Sequence, residues 1–355
     1  MDAPTSNARE GPDRSRIHFP TLLTKVTEGE DLGSREAEAA FDLFMDGSAT
    51  PVQMAALLVG MRGKGLDPSE VAGGVRALRR AMVPVPASEP DLLVDTAGTG
   101  GGDVTTFNIS TAAALVAAGA GVKIAKHGNR SFTSRCGSAD VLEAMGVNIG
   151  LAPERMGEIL EEVGIVFMFA PLLHPAMRHV GPVRKELGIS TVMNVLGPLT
   201  NPAGARRQIV GVADPNLVSL LVRALRELGH VRSLVVHGTP GMDEISPAGP
   251  TRMAELRGGK VTEREITPEL LGLDTRPLEG IAGGDRAYNA QVIRDVLSGG
   301  RQDAARTATL LNAAAAIYVG GVADSLARGV TMACEAISSG AALHRLEALV
   351  EASAR

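Results

Sequence analysis

The chain has 355 residues, a net charge of −5, 45% apolar residues and only 3% aromatic residues. That length is typical of two domains or one large domain, with a core of aliphatic side chains. The acidic balance and the few aromatic rings argue against a nucleic-acid partner, and no apolar run reaches the roughly 20 residues that a membrane span requires.

The first part of the chain predicts a polar leader followed by helices. Residues 1–16 have mixed charge and no apolar signal-peptide core, which favours a disordered leader. Thr50 and Gln53 have the spacing of a capping box, and Asp67 repeats the start signal before the next apolar face. A small helical domain is therefore expected over residues 17–86.

After a proline-rich connector, short apolar runs alternate with helical segments. Strands are predicted at 92–94, 122–125, 165–169, 208–212 and 234–236, and helices at 110–120, 138–145, 304–320 and 325–338. Such alternation predicts a parallel sheet with crossover helices. The predicted fold class is α/β. It has a small helical domain, discontinuous in sequence (17–86 and 171–205), and a larger α/β domain (87–170 and 206–355) with a mainly parallel central sheet.

A glycine-rich segment follows the first predicted strand. It runs from Gly98 to Asp103 and leads into Asn108, Ser110 and Thr111 at the start of a helix. Glycines let backbone N–H groups approach a phosphate, and a helix N-terminus adds a favourable dipole. The segment matches neither the P-loop nor the dinucleotide pattern, and a plain tight turn is the alternative.

The most informative segment is Lys-His-Gly-Asn-Arg at 126–130. Two cations, a histidine and an amide directly follow the strand predicted at 122–125, at the kind of position where ligands of open α/β sheets bind. A solvated surface loop is the alternative. Together with the glycine-rich segment, this stretch indicates an enzyme that joins a phosphorylated sugar to an acid.

Carboxylates and a further arginine extend this pattern. Asp243 and Glu244 follow the strand predicted at 234–236 and a turn. Adjacent carboxylates suit Mg²⁺, which takes few carboxylates and shares its other positions with substrate phosphates; a solvated acidic turn is the alternative. The guanidinium of Arg184 can bind a carboxylate through two parallel hydrogen bonds, and His174 lies nearby in the chain. Either residue alone is more often structural than functional.

Taken in order, these segments resemble the anthranilate phosphoribosyltransferases of tryptophan biosynthesis, over nearly the whole chain after the leader. The motifs lie at 29–32, 47–51, 108–111, 126–130, 137–143, 194–202, 241–244 and 311–314. The resemblance implies a glycosyltransferase in which a helical and an α/β domain meet at a hinge that binds the substrates. The implied reaction is attack of the anthranilate amine on C1′ of phosphoribosyl pyrophosphate (PRPP), with pyrophosphate leaving and Mg²⁺ assisting. A homodimer joined through the helical domain is also implied.

The resemblance assigns roles to individual residues. Those implied to bind PRPP are Gly98, Thr99, Gly100, Gly101, Asp103, Thr106, Asn108, Ser110, Thr111 and Lys126. Those implied to bind anthranilate are Gly98, His127, Asn129, His174 and Arg184. The magnesium ligands are implied to be Ser110, Asp243 and Glu244, and the catalytic residues Lys126 and Arg184. One departure concerns 98–103: the family writes Gly-Thr-Gly-Gly-Asp-Gly, whereas this chain has Gly-Thr-Gly-Gly-Gly-Asp, which displaces the carboxylate by one residue.

Two other interpretations share the fold. A pyrimidine nucleoside phosphorylase usually carries Ser-Gly-Arg-Gly where this chain has Lys-His-Gly-Asn-Arg. A non-catalytic nucleic-acid-binding relative is expected to have a basic surface and a degraded anthranilate site, which the net charge of −5, Asn129 and Arg184 argue against. Cys136 and Cys334 form neither a metal pattern nor a disulfide framework, so a reducing, cytoplasmic location is expected.

Overall fold

A seven-stranded sheet organises the larger part of the molecule. The computed structural model describes residues 18–131 and 135–355, and the leader predicted at 1–16 lies outside the described residues. The strands are β1 (Val94–Gly98), β2 (Ile124–Gly128), β3 (Ile165–Phe169), β4 (Arg207–Gly211), β5 (Arg232–Gly238), β6 (Thr251–Arg257) and β7 (Lys260–Ile266). Their order is β3-β2-β1-β4-β5-β6-β7, with β1 to β5 parallel and the last two antiparallel. The predicted mainly parallel sheet is confirmed.

Helices pack on the sheet and form a bundle beside it. They are α1 (Phe19–Thr27), α2 (Ser34–Met45), α3 (Pro51–Lys64), α4 (Pro68–Ala81), α5 (Ile109–Gly119), α6 (Ser138–Ala144), α7 (Pro153–Val163), α8 (Ala170–Leu173), α9 (Met177–Leu187), α10 (Met193–Leu196), α11 (Asn216–Glu227), α12 (Arg286–Leu297), α13 (Ala304–Gly320), α14 (Leu326–Ser338) and α15 (Ala341–Ala354). The capping box before α3 forms as predicted: Gln53 N–H donates to Thr50 Oγ1 over 3.2 Å, and Thr50 N–H donates to Gln53 Oε1 over 2.9 Å. Among the helices of 18–131 and 135–355, none combines the length and the apolar character of a bilayer span.

Two hydrophobic cores lie on opposite faces of the sheet. Along β4, Ile209 belongs to the core that contains α5 and α13, whereas Val210 belongs to the core shared with the bundle. The alternation follows from the period of two along a strand. Val183 and Leu196, from α9 and α10, belong to the same core as Phe41 of α2. The bundle therefore draws on two separate stretches of sequence, while the predicted domain boundaries stay a prediction.

The strand order places a topological switch point beside β1. From β1 the chain winds outward through β2 and β3, and it then returns to the other side of β1 as β4. The connections that follow β1 and β4 therefore lead away from the carboxyl ends of these strands in opposite directions. In open α/β sheets this is where ligands bind.

Strand β1 differs from its prediction at 92–94. Residues Pro90–Leu92 form a single 3₁₀ turn, and the strand runs from Val94 to Gly98 instead. Pro90 can begin such a turn because its missing N–H needs no partner there. The strand then continues through Asp95 and Thr96, which are buried polar residues that an apolar pattern does not mark as strand.

Candidate active site

The glycine-rich loop lies at the switch point between β1 and β4. It leaves β1 at Gly98, and the N–H of Thr99 donates to the carbonyl oxygen of Gly211, the last residue of β4, over 2.8 Å. Gly100 and Gly101 have φ angles of +69° and +79°, a region that residues with a side chain rarely adopt. The loop thus exposes backbone to the crevice, and its binding of a phosphate stays a prediction.

The acidic loop after β5 closes the other side of this crevice. Gly100 N–H donates to Asp243 Oδ2 over 3.0 Å, and Ser110 N–H, at the N-terminus of α5, donates to Glu244 Oε1 over 3.0 Å. Asn312 on α13 anchors the loop, because its side chain bonds both the N–H and the carbonyl of Ile245, over 3.0 and 3.1 Å. Residues more than 100 positions apart in sequence are thereby brought together.

Lys126 reaches the same crevice from β2. Its side chain is buried, and its Nζ donates to Thr96 O over 2.8 Å, to Thr96 Oγ1 over 3.1 Å and to Ser110 Oγ over 3.3 Å. Burial lowers the pKa of Lys126, whereas the carboxylates of Asp95 and Glu244 oppose that shift. An ammonium group therefore sits beside the start of α5.

The surroundings of Asp243 and Glu244 favour the protonated forms of their carboxyl groups. Burial, reinforced by the neighbouring Asp243, raises the pKa of Glu244 to about 8, and burial also raises the pKa of Asp243. The ammonium of Lys126 opposes the shift of Glu244 but does not cancel it. Two carboxylates and a hydroxyl suit Mg²⁺, a hard cation that takes oxygen ligands. Within the described ranges no three His, Cys, Asp or Glu side chains cluster, and the role of these residues as magnesium ligands stays a prediction.

The buried His127 and the half-buried His174 form a pair next to Lys126. Their Nε2 atoms are 3.2 Å apart, so one ring donates and the other accepts. Burial lowers the pKa of His127 to about 3 and that of His174 to about 4, so both rings are neutral at pH 7. Two neutral imidazole rings present aromatic faces together with ring nitrogens that can donate or accept a hydrogen bond.

Asn129 and Arg184 make no hydrogen bond to the other predicted site residues within the described chain. Asn129 is exposed, and its Oδ1 accepts the N–H of Arg130 over 2.7 Å. Arg184 lies on α9, and burial lowers its pKa. Its guanidinium has neither an ion pair nor a hydrogen bond with any described residue. The N–H groups of the guanidinium are therefore available to bind an anion.

Three other predicted residues have structural contacts of their own. Asn108 donates to Cys136 O over 3.0 Å and accepts from Asn289 Nδ2 over 3.0 Å. Thr106 forms an isolated bridge with Ala282. The Oγ1 of Thr111 is buried without a hydrogen-bond partner in the described structure, and Thr111 lines a small cavity of about 10 Å³ inside the core. Their contact with a substrate stays a prediction.

The displaced carboxylate of the glycine loop has a physical reason in the second loop. A Cβ added at Gly102 would lie 2.8 Å from the carbonyl oxygen of Gly241, so a side chain does not fit there. Asp103 N–H donates to that same carbonyl over 3.1 Å. The order Gly102–Asp103 therefore suits the close approach of the two loops.

Sequence reasoning missed Asp95, Asn201 and Asn289. Asp95 and Asn201 are fully buried beneath Lys126 and His127, and Asn289 holds Asn108. Only one signal existed for Asn201, its place in the motif at 194–202. Nothing in the pattern marked Asp95 or Asn289, since a lone polar residue near an apolar run is usually exposed.

A parallel sheet with a phosphate-type loop, a buried lysine and an acidic pair at its switch point, flanked by a helical bundle, defines a two-domain transferase of phosphorylated sugars. Residues 90–343 match the glycosyl transferase family, a/b domain, and residues 20–82 match the glycosyl transferase family, helical bundle domain. Anthranilate phosphoribosyltransferase of Rubrobacter xylanophilus is 54% identical over 94% of this chain and 97% of its own length.

Solved structures agree with this assignment. The anthranilate phosphoribosyltransferase of Thermus thermophilus superimposes with a TM-score of 0.89 at 44% identity, covering 94% of this chain and 99% of that one. The Saccharomyces cerevisiae enzyme in complex with PRPP and Mg has a TM-score of 0.86 at 28% identity, covering 96% and 99%. The chain belongs to the anthranilate phosphoribosyltransferase family.

The contact between Gly211 and the acidic loop provides a first prediction. A Cβ at Gly211 would lie 1.7 Å from the carbonyl oxygen of Asp243, so Gly211→Ala must displace that loop. We expect the unfolding free energy to fall by about 1–3 kcal/mol and the catalytic rate to fall roughly 100-fold. The control is Gly63→Ala on α3, where an added Cβ meets nothing within 4 Å. It should gain about 0.5–1 kcal/mol and keep its rate. Equal rates for both variants in steady-state assays would contradict the prediction.

Proposed function

We propose that this chain transfers the phosphoribosyl group of PRPP to the amine of anthranilate, giving N-(5-phosphoribosyl)anthranilate and pyrophosphate, in tryptophan biosynthesis. The observation that carries the proposal is the convergence of Gly100, Ser110, Lys126 and the acidic pair on one crevice. That arrangement suits a substrate with two phosphate groups and a leaving group of high charge. The bond that breaks joins C1′ to the pyrophosphate oxygen, and the new bond joins C1′ to the anthranilate nitrogen.

Asp243, Glu244 and Ser110 are the residues we propose to hold Mg²⁺. Their oxygen donors fit a hard cation, and a cation bound there would favour the ionised form of Glu244, whose pKa burial and Asp243 raise in the metal-free protein. Bound there, magnesium would neutralise negative charge on the pyrophosphate as it leaves. The Mg-containing complex of the yeast enzyme supports this proposal.

The protein's own contribution is electrostatic and positional. The anthranilate amine is already neutral at pH 7, so its attack needs no strong base. Lys126 and the loop N–H groups are placed to bind the departing phosphate oxygens, and fixed donors in a dry site are effective because they need no reorganisation. We propose that the neutral His127–His174 pair, with Asn129 and Gly98, lines the position of the anthranilate ring, and that Arg184 binds its carboxylate.

Arg184→Ala tests that last assignment. Because the Arg184 guanidinium has no described partner, its removal should cost binding to the substrate carboxylate and little else. We expect the KM for anthranilate to rise roughly 30-fold, about 2 kcal/mol, with the KM for PRPP unchanged. The matched control is the exposed neighbour Lys185→Ala, which should leave both constants unchanged. Equal increases for the two substrates would remove Arg184 from the anthranilate site.

Anthranilate fluorescence provides the direct test of function. Mixing the pure protein with PRPP, Mg²⁺ and anthranilate should abolish the signal, and omitting either PRPP or Mg²⁺ should preserve it. Persistence of the signal with a folded protein would refute the proposal. Phosphorolysis of thymidine or uridine, or salt-sensitive binding of DNA or RNA, would then support the two alternative functions.

We further propose a homodimer joined through the helical domain, and a cytoplasmic location. The exposed Val52 and Val59, at 78% and 43% relative exposure, lie seven residues apart and so on one face of α3, where a second copy would cover them. Neither Cys136 nor Cys334 is part of a disulfide within the described residues, which suits a reducing compartment. Light scattering coupled to gel filtration gives the mass of the assembly, and a monomer would refute the dimer.

A further inference from the structure

Strands β1 and β2 separate just where they approach the active site. Their register contains the single Cα pair Val94–Ile124, whereas β1 and β4 pair along five residues, from Val94 to Gly98. Val94 N–H donates to Lys123 O over 3.0 Å, which is the normal bond of a parallel ladder at this register. The ladder therefore starts correctly and then stops.

A regular parallel ladder dictates what the next bonds would be. Thr96 would lie opposite Lys126, with its N–H donating to Ala125 O and its carbonyl accepting from His127 N–H. The register contains no pair of Thr96 with Lys126, and two buried side chains bond groups that the ladder would use. His127 N–H donates to Asp95 Oδ1 over 3.1 Å, and Asn201 Nδ2 donates to Ala125 O over 2.8 Å. Asn201 Nδ2 also donates to Asp95 Oδ2 over 2.8 Å, so the two side chains form one unit.

The consequence lies at the carbonyl of Thr96. Because His127 N–H is bonded to Asp95, the Thr96 carbonyl oxygen is left without its ladder partner. It accepts instead from Lys126 Nζ over 2.8 Å. The buried ammonium of the active site is thus held by a backbone oxygen that is free only because β1 and β2 are held apart.

Maintaining this gap is costly for the protein. Asp95 and Asn201 have relative exposures of 0% and 2%, and burying a carboxylate without a directly bonded cation is unfavourable. The sheet itself does not need them, since β1 pairs with β4 by backbone bonds alone. Asn201 also accepts the N–H groups of Ala203 and Ala205, and it follows Leu199 of the bundle core. The unit therefore connects the helical bundle to the strands that carry Lys126 and His127.

We infer that Asp95 and Asn201 are positioning residues, which hold β1 and β2 apart so that the Thr96 carbonyl orients the Lys126 ammonium toward Ser110. This inference rests on the proposed function for its kinetic consequences, but its structural part stands independently. When Asp95 and Asn201 are in place, Lys126 has a fixed position before substrate arrives. When either is lost, β1 and β2 can complete their ladder, and Lys126 loses its anchor.

Asp95→Asn tests the inference. His127 N–H and Asn201 Nδ2 bond different oxygens of Asp95, and a carboxamide at 95 replaces one of those oxygens by an NH2 donor, so one of the two bonds is lost. We expect kcat to fall roughly 100-fold, with the KM for anthranilate unchanged. Glu70→Gln is the matched control, because Glu70 is an equally buried carboxylate that accepts the Leu32 N–H and pairs with Lys64, far along the chain from the site. It should lose stability and retain kcat. Loss of kcat in both variants, or in neither, would overturn the inference.

A structural readout keeps the inference separate from the proposed function. A crystal structure of Asp95→Asn should show His127 N–H bonded to Thr96 O and Lys126 Nζ released from it. If that variant does not fold, Asn201→Ser provides the same test from the other partner. An experimental structure of the wild-type chain in which Thr96 O accepts from His127 N–H would overturn the inference without any variant. If the wild-type protein had no transferase activity, the proposed function would be refuted. The hydrogen bonds seen in these crystal structures would still decide the structural part of the inference.

Discussion

Lys126→Met is expected to lower kcat roughly 1,000-fold, about 4 kcal/mol, in a protein that still folds. The side chain of Lys126 is buried, and its ammonium sits within hydrogen-bonding distance of Thr96 and Ser110 at the N-terminus of α5. No water shell screens a charge in that position, so its effect on a developing anion is large. Methionine preserves the length and the packing of the stem while it removes only the charge and the donors.

Stability should change far less than activity in this variant. Burial lowers the pKa of Lys126, which means that holding the ammonium there is unfavourable for the fold. Removing it relieves that cost, although Asp95 and Glu244 lose a favourable neighbour. Steady-state kinetics and thermal unfolding, measured on the same preparation, separate the two effects.

Lys123→Met is the matched control, because it makes the same substitution at a lysine next to the same strand, β2. Lys123 lies at the opposite end of β2, half-exposed, and pairs with Glu89 and Glu161 over 3.1 and 2.9 Å. Ion pairs of this exposure contribute little, typically less than about 1 kcal/mol. Its kcat should equal that of the wild type. If Lys126→Met retained a rate similar to that of Lys123→Met, the ammonium would have no part in catalysis.

Much of the fold was predictable because local signals agreed with the tertiary structure. The capping box at Thr50 and Gln53 starts α3, and the alanine-rich pattern predicted at 304–320 coincides with α13 (Ala304–Gly320). The β6–β7 hairpin was missed, although Gly258 and Gly259, with φ angles of +57° and +77°, form the kind of turn that favours a hairpin. The charged β7 has only Ile266 buried, so the strand lacked the alternating apolar pattern that marks a half-buried strand.

Several residues of the site could be predicted from the sequence, but their arrangement in space could not. Local chemistry pointed to Lys126, Asp243 and Glu244, although Lys126 lies within β2 (Ile124–Gly128) and does not follow a strand ending at 125 as predicted. Asp243 and Glu244 follow β5 at the carboxyl edge of the sheet. No local pattern could reveal that Ser110 N–H bonds Glu244, since that contact depends on the strand order β1-β4-β5. The role of Asp95 depends on a ladder that fails to form, and an absent backbone bond leaves no trace in composition or periodicity.

Asp243→Asn combined with Glu244→Gln should show the second large effect, and it should act in opposite directions on stability and on activity. Both amides keep the backbone bonds of the loop, because the carboxamide oxygens at positions 243 and 244 can still accept from the N–H groups of Gly100 and Ser110. What is lost is charge. In the metal-free protein the two adjacent, half-buried carboxylates repel each other, and desolvation together with Asp243 raises the pKa of Glu244 to about 8. Removing them should therefore raise the melting temperature in EDTA.

The sign of the pH dependence supports the same experiment. A carboxyl whose pKa rises from 4.5 to about 8 on folding holds a proton that the unfolded chain releases. Its contribution to the unfolding free energy of the metal-free wild type is therefore present below pH 4.5 and declines as the pH rises toward 8. The double variant lacks that decline. Melting curves in EDTA at a series of pH values should thus diverge toward alkaline pH, with the variant the more stable protein.

With Mg²⁺ present the order should reverse. Magnesium should stabilise the wild type by mass action and leave the double variant unaffected, because the variant has lost both charged ligands. The rate at saturating Mg²⁺ should fall roughly 1,000-fold, and the remaining activity should no longer depend on its concentration. Asp274→Asn, an exposed carboxylate paired with Arg276, is the control and should behave as the wild type. A double variant with the wild-type Mg²⁺ profile would remove Asp243 and Glu244 from the metal site.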